Sequence, residues 1–186
     1  MKFAISVKTL AFSAALMIAM ITTADAQWQA DADDKIEVKA EKAVSRFRDK
    51  LPGSEQYFKD AYGYAVLASI TEVAVGYGGS YGRGLVIEGD QVIGSTSFWQ
   101  FTSGIQAGAK FFSMIIFFKD EEALQYFKTR KIQFLGQAGL SLGPWGVNGT
   151  SAYNDGVAIF TLTRFGLIGQ LSISGAKFSY KELSGD

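Results

Sequence analysis

The chain has 186 residues and contains neither histidine nor cysteine. That removes thiolate nucleophiles, imidazole bases, Ser-His-Asp triads and nearly all zinc sites. It also rules out disulfides, even in an oxidising compartment. Carboxylates, lysines, arginines and hydroxyls remain. The densest carboxylate group, Asp120-Glu121-Glu122, looks like a set of metal ligands on paper. It opens a helix-periodic stretch, however, where negative charge suits the helix dipole. No carboxylate pair has a spacing that argues for acid–base catalysis. The expectation is a protein that is not an enzyme, with no cofactor and no metal site.

The second candidate is the glycine-rich run "VGYGGSYGRGLVIEGDQ" (Val75 to Gln91). A phosphate loop needs irregular backbone with converging amides, a following Lys-Ser or Lys-Thr, and then a helix. Here the run continues into "LVIEGDQVIG", a hairpin pattern. The residues alternate. Gly76, Gly78, Ser80, Gly82 and Gly84 are small, while Val75, Tyr77, Tyr81, Arg83 and Leu85 are large. Side chains alternate across a strand, so this is a strand with one bare face and one aromatic face. Glycine in a strand is costly, so something must lie close against the bare face. Close protein packing is the simpler occupant, and an acyl chain is the other.

Basic residues supply the remaining binding chemistry. Lys35, Lys39, Lys42 and Arg46 flank an apolar stripe that ends in Phe47 and Leu51. This is the layout of an interfacial helix whose lysines reach phosphates while Phe47 enters the bilayer. The same stripe would also dock a helix on a sheet. Arg83 stands on the aromatic face of the glycine strand, positioned to hold an anion or to stack on a tyrosine. Lys110 and Lys177 occupy equivalent places in two "GAKF" segments and read as paired basic positions. Phe98, Trp99, Phe101, Phe111 and Phe112 are read as core, with membrane contact as the alternative.

The elements that position these residues follow from composition. Lys2 and Lys8, an uncharged run from Ala11 to Ile21, and Ala24-Asp25-Ala26 make a signal peptide of residues 1–26, and export is expected. The run is about half of the ~20 residues a spanning helix needs. Removing Lys2, Lys8 and Asp25 from the 18 basic and 18 acidic residues leaves 16 and 17. Bulk charge therefore argues against nucleic acid as a partner. Residues 27–61 form a helical segment. Ile36, Ala40, Ala43, Val44 and Phe47 share one helix face, and Pro52-Gly53 stops the helix. Residues 62–182 form a β-rich domain, followed by a short tail at 183–186.

Strands are expected at Tyr64–Ile70, Ala74–Ile87, Gln91–Trp99, Gly104–Phe112, Met114–Phe118, Phe134–Leu142, Val157–Thr163 and Leu167–Phe178. One inserted helix is expected over Lys119–Lys128. Asn148-Gly149 reads as a hairpin turn rather than a glycosylation site. The fold class is α+β, with a mainly antiparallel sheet, sandwich or barrel-like core.

The segments "GGSYGRGLV", "SGIQAGAKFFSMIIFF", "DEEALQYF", "LGPWGVNGTSAYNDGVAIFTLT" and "GLIGQLSISGAKF" follow one another in an order that resembles the SYLF domain family, over roughly Ala61 to Lys181. The family is also known from yeast actin-patch proteins. The resemblance implies a non-enzymatic lipid-binding module. Eukaryotic members bind phosphoinositides with the help of a basic amphipathic segment at the N-terminal end, and some bind actin. Three positions depart from the family pattern. Lys110 stands where an acidic residue is usual, Phe165 where a basic one is, and Ser174 where an acidic one is. The expected partner is an anionic phospholipid or membrane surface, at the periplasmic side of a membrane, and actin is not expected. The alternatives are a small outer-membrane β-barrel or a protein-interaction domain that binds no lipid.

Overall fold

The computed structural model describes residues 28–129, 133–134, 141–142, 147–149, 153, 155–166 and 176–183. The expected signal peptide, most of the Phe134–Leu142 segment and most of the Leu167–Phe178 segment lie outside the described residues.

Helix α1 runs over Lys35–Lys50. Asp34 caps it, its carboxylate accepting from the amides of Ile36 at 2.6 Å and Glu37 at 3.3 Å. A 3-10 turn at Pro52–Ser54 ends it, and the short helix α2, Glu55–Asp60, follows. Arg48 ties the two together, lying 4.4 Å from the Phe58 ring centroid and 3.4 Å from the Glu55 carboxylate. The inserted helix, α3, spans Glu121–Thr129. Asp120 caps it by accepting from the Ala123 amide at 2.9 Å, which accounts for the acidic cluster.

Two strands dominate the sheet. β1 is Gly63–Glu88 and β2 is Gln91–Phe118. They form one antiparallel hairpin from Gly63 opposite Phe118 to Glu88 opposite Gln91. The sequence divided this hairpin into five strands, because glycines and polar residues punctuate it. Apart from the turn before Gln91 the two strands run on through those breaks, and one of the bulges that shift their register lies between Leu67 and Ile70. There the extra residue switches which parity of side chain faces inward. Ser113 Oγ fills the bulge, donating to the Ala68 carbonyl at 2.7 Å. The remaining strands are β3 (Gln133–Phe134), β4 (Ser141–Leu142), β5 (Val147–Gly149), β6 (Val157–Gly166) and β7 (Ala176–Glu182). The early part of β2 pairs with β7 and its late part with β6, both antiparallel. The described residues make an α+β fold on an antiparallel sheet of order β3-β7-β2-β6-β5-β4, with β1 paired to β2.

The hairpin folds back on itself about Gly76, whose φ of +71° suits glycine. The second half of β1 then lies against its own first half. A Cβ on Gly82 would stand 2.5 Å from Ile70 Cγ1, and one on Gly84 would press into the Val66 carbonyl and stand 2.8 Å from Leu67 Cγ. At the far end Gly63 meets the Ile87 carbonyl, and Tyr62 OH donates to Glu88 at 2.7 Å. The occupant of the bare face is therefore the same strand. This close approach is why the alternation demands residues without bulk.

Two cores result. The inner one joins Leu67, Ile70, Phe98, Phe112, Met114 and Phe178 to α3 through Leu124 and Phe127. The outer one lies between α1 and the sheet, where Ala40, Ala43, Val44 and Phe47 meet Val66, Leu85, Ile87, Ile115, Phe117 and Phe160.

Candidate functional site

α1 covers only part of the outward face of the sheet. The next outward residue after Leu85, which is buried beneath the helix, is Arg83, which is exposed. Beyond that boundary no described helix lies over the face. On β1 it presents Val73, Val75, Tyr77 and Tyr81, and on β2 Trp99, Phe101 and Phe111. Val75 is 78 % exposed, Tyr77 73 % and Phe101 61 %. The rings of Tyr77 and Phe101 stack at 6.2 Å between centroids. The aromatic cluster expected to be core is split by strand alternation: Phe98 and Phe112 are fully buried, whereas Trp99, Phe101 and Phe111 point outward. Exposed large apolar side chains in this number mark a candidate interaction surface.

Cations border the patch. Arg83 Nε donates to Tyr81 OH at 2.8 Å, so the arginine is held edge-on by a hydrogen bond rather than stacked on the ring. That bond raises the Arg83 pKa. The Lys177 ammonium lies 5.0 Å from the Trp99 ring centroid. On α1, Arg46 is half-buried. Burial, and then the neighbouring charge of Arg164 on β6, lower its pKa. Lys35, Lys39 and Lys42 are exposed along α1.

Two expected site residues are placed elsewhere. Phe47 is fully buried in the outer core, so its ring faces the sheet and is not available to a bilayer in this fold. The apolar stripe that suggested insertion is satisfied by docking. Lys110 is buried too, and it is not a surface partner of Lys177. It stands opposite Glu72 in the β1–β2 ladder, which is also buried. Burial raises the Glu72 pKa, and the Lys110 charge pulls it back down. Burial lowers the Lys110 pKa, and Glu72 opposes that shift. Ser80 Oγ, on the same inward face, is buried with no hydrogen-bond partner.

Residues 100–182 match the family model described as Ysc84, the Las17-binding protein actin regulator. Over these residues the chain is similar to the SYLF domain family. SYLF domains of this family are membrane-, lipid- or actin-related binding modules and are generally not enzymes. The chain is also similar to beta cell expansion factor A of Aeromonas veronii, at 28 % identity over 146 residues. That alignment takes in 77 % of this chain and 55 % of the relative, so the chain spans about half the length of the curated relative it matches. The family match begins at Gln100, within β2, so it takes in Phe101, Phe111 and Lys177 but not the glycine strand that carries Tyr77, Tyr81 and Arg83.

Reasoning from sequence picked out Arg83 and Lys177 as site residues, assigned the aromatics of β2 to the core with membrane contact as the alternative, and passed over Val75 and Tyr77. Their signal was the parity of the alternation. Tyr77 and Tyr81 share parity with Arg83, and the β-ladder places Phe101 opposite Gly79 and Trp99 opposite Tyr81.

Proposed function

We propose that this protein is an exported, periplasmic, non-enzymatic module that binds anionic phospholipid membranes through the uncovered aromatic face of the β1–β2 hairpin. The observation that carries the reading is the order of residue types along that face. Val75, Tyr77 and Phe101 lie farthest from α1. Tyr81 and Trp99 come next, with Lys177 beside Trp99 in the same row, and Arg83 follows one row further on. This follows the layering of a membrane interface, in which hydrocarbon gives way to an aromatic belt and then to phosphate. Successive outward residues are roughly 6.6 Å apart along a strand, so two steps span the depth of shallow insertion. The exposed lysines of α1 add attraction to a negative surface at longer range.

Co-sedimentation with vesicles tests this. Vesicles of phosphatidylcholine with phosphatidylglycerol are expected to recover the protein, and pure phosphatidylcholine far less. Phe101→Ser with Tyr77→Ser is expected to abolish recovery while the far-ultraviolet spectrum stays unchanged. Equal recovery from both vesicle types, or none from either, would overturn the reading.

A further inference from the structure

The outer core extends to the chain that precedes α1. Trp28 is only 5 % exposed and belongs to that core, with Ala30 packed against it. From there to the helix the backbone is tied down. The Asp31 amide donates to Glu37 Oε2 at 2.8 Å, the Asp33 amide to Asp31 Oδ1 at 2.9 Å, and the Asp34 amide to the Asp31 carbonyl at 3.1 Å. Trp28 to Asp34 is therefore a strap, held by a buried ring at one end and by the start of α1 at the other. In sequence this strap directly follows the expected processing site. The Ala24-Asp25-Ala26 pattern places the cut between Ala26 and Gln27, so Trp28 is the second residue past it.

A protease must draw several residues on each side of the scissile bond into its cleft as extended chain. A buried side chain and hydrogen-bonded backbone prevent that. Here only Gln27 separates the bond from a residue sealed in the core. Cutting a docked chain requires the strap to leave first, so the rate follows the small undocked population. We infer that docking of Trp28 closes the processing site: signal removal precedes seating of the strap, and a chain that seats its strap first keeps its signal. Such a chain stays tethered, because the stretch from Ile21 to Trp28 reaches at most about 25 Å. The inference rests on the export reading above. It adds an order of processing and folding that the signal alone does not set.

The test follows cleavage by purified signal peptidase in detergent micelles, read by intact mass. A synthetic peptide of residues 1–34, which carries the signal and the strap without the sheet, should be cut after Ala26. The full-length chain, folded beforehand, should be cut about a hundredfold more slowly, the scale of pulling a large ring out of a core. Inserting about ten Gly and Ser residues between Gln27 and Trp28 moves the bond away from the fold while Trp28 stays docked. That folded variant should be cut as fast as the peptide. Trp28→Ser, which releases the strap, should also be cut quickly, with the far-ultraviolet spectrum checking that the sheet is intact. A folded wild-type chain cut as fast as the peptide overturns the inference and leaves the export reading standing. Protection that persists in the spacer variant overturns it as well, because the strap is then not its source. A peptide that is not cut after Ala26 overturns the export reading and the inference together.

Discussion

The outward face of the sheet has two regions that follow one alternating pattern and end in opposite environments. Near the strand ends, Val66, Leu85, Ile87, Ile115 and Phe117 are sealed beneath α1. Toward the fold-back, Val75, Tyr77, Trp99 and Phe101 are equally apolar and lie open. Strand propensity does not separate them, since both regions are rich in aromatic and β-branched residues. The length of the helix does. α1 ends at Lys50 and reaches only part of a hairpin whose strands run 26 and 28 residues. Apolar surface near the helix becomes core, and apolar surface beyond its reach becomes a site.

The largest effect should come from breaking the covered region. Phe47→Ala removes the fully buried ring that joins α1 to the sheet and should cost about 3–5 kcal/mol, read as a shift in the urea midpoint. Phe101→Ala, in the open region, should change stability by less than about 0.5 kcal/mol while weakening vesicle recovery. If the two substitutions cost the same stability, the distinction between covered and open regions fails.

The next prediction concerns the inward face beneath the open region. Lys110→Met strips Glu72 of its opposing charge and should cost about 3 kcal/mol at pH 7. The Glu72 pKa is raised in the folded state, so the folded protein binds its proton more readily than the unfolded chain. Its ionised form therefore weighs against folding. That contribution disappears below the unfolded carboxylate pKa and grows as pH rises through the folded one. Without Lys110 the folded pKa rises further. The variant should recover part of its lost stability between pH 7 and pH 5, measured as urea midpoints at both values. A deficit that is constant or deepens toward acid would contradict the pairing.

Glycines sharpen the comparison further. Gly84→Ala drives a Cβ into the Val66 carbonyl across the fold-back and should cost about 1–3 kcal/mol. Gly79→Ala faces outward, where its Cβ meets only the Gln100 carbonyl at 3.2 Å, and should cost well under half as much. Thermal melts of the two variants give the ratio directly. The smallest expected effect is that of Arg83→Ala at the border of the open region. It should leave the melting temperature unchanged and weaken binding to anionic vesicles by about fivefold at low salt. That loss should shrink as salt is raised.

Much of this architecture was legible in the chain. Pro52 marked the end of α1, because a helix breaker acts locally. The helix after Asp120 was readable for the same reason, and so was the alternation of small and large residues from Gly76 to Leu85. The sequence over-divided the hairpin because polar positions such as Thr71, Glu72 and Ser113 look like strand ends until the partner strand is seen beside them. It also treated Phe98, Trp99, Phe111 and Phe112 as one group, although adjacent positions in a strand face opposite ways.

Local chemistry thus determined the helices, the two-faced glycine strand, and the exclusion of imidazole and thiol chemistry. Tertiary structure decided what each face meets. The bare face packs on its own strand because the chain reverses at Gly76. Phe47 is core because a helix stripe is satisfied by whatever apolar surface reaches it first. The aromatic face stays open because α1 stops short of it. Each of these outcomes depends on residues distant in sequence, and burial is a property of the assembled neighbours rather than of the residue that carries the side chain.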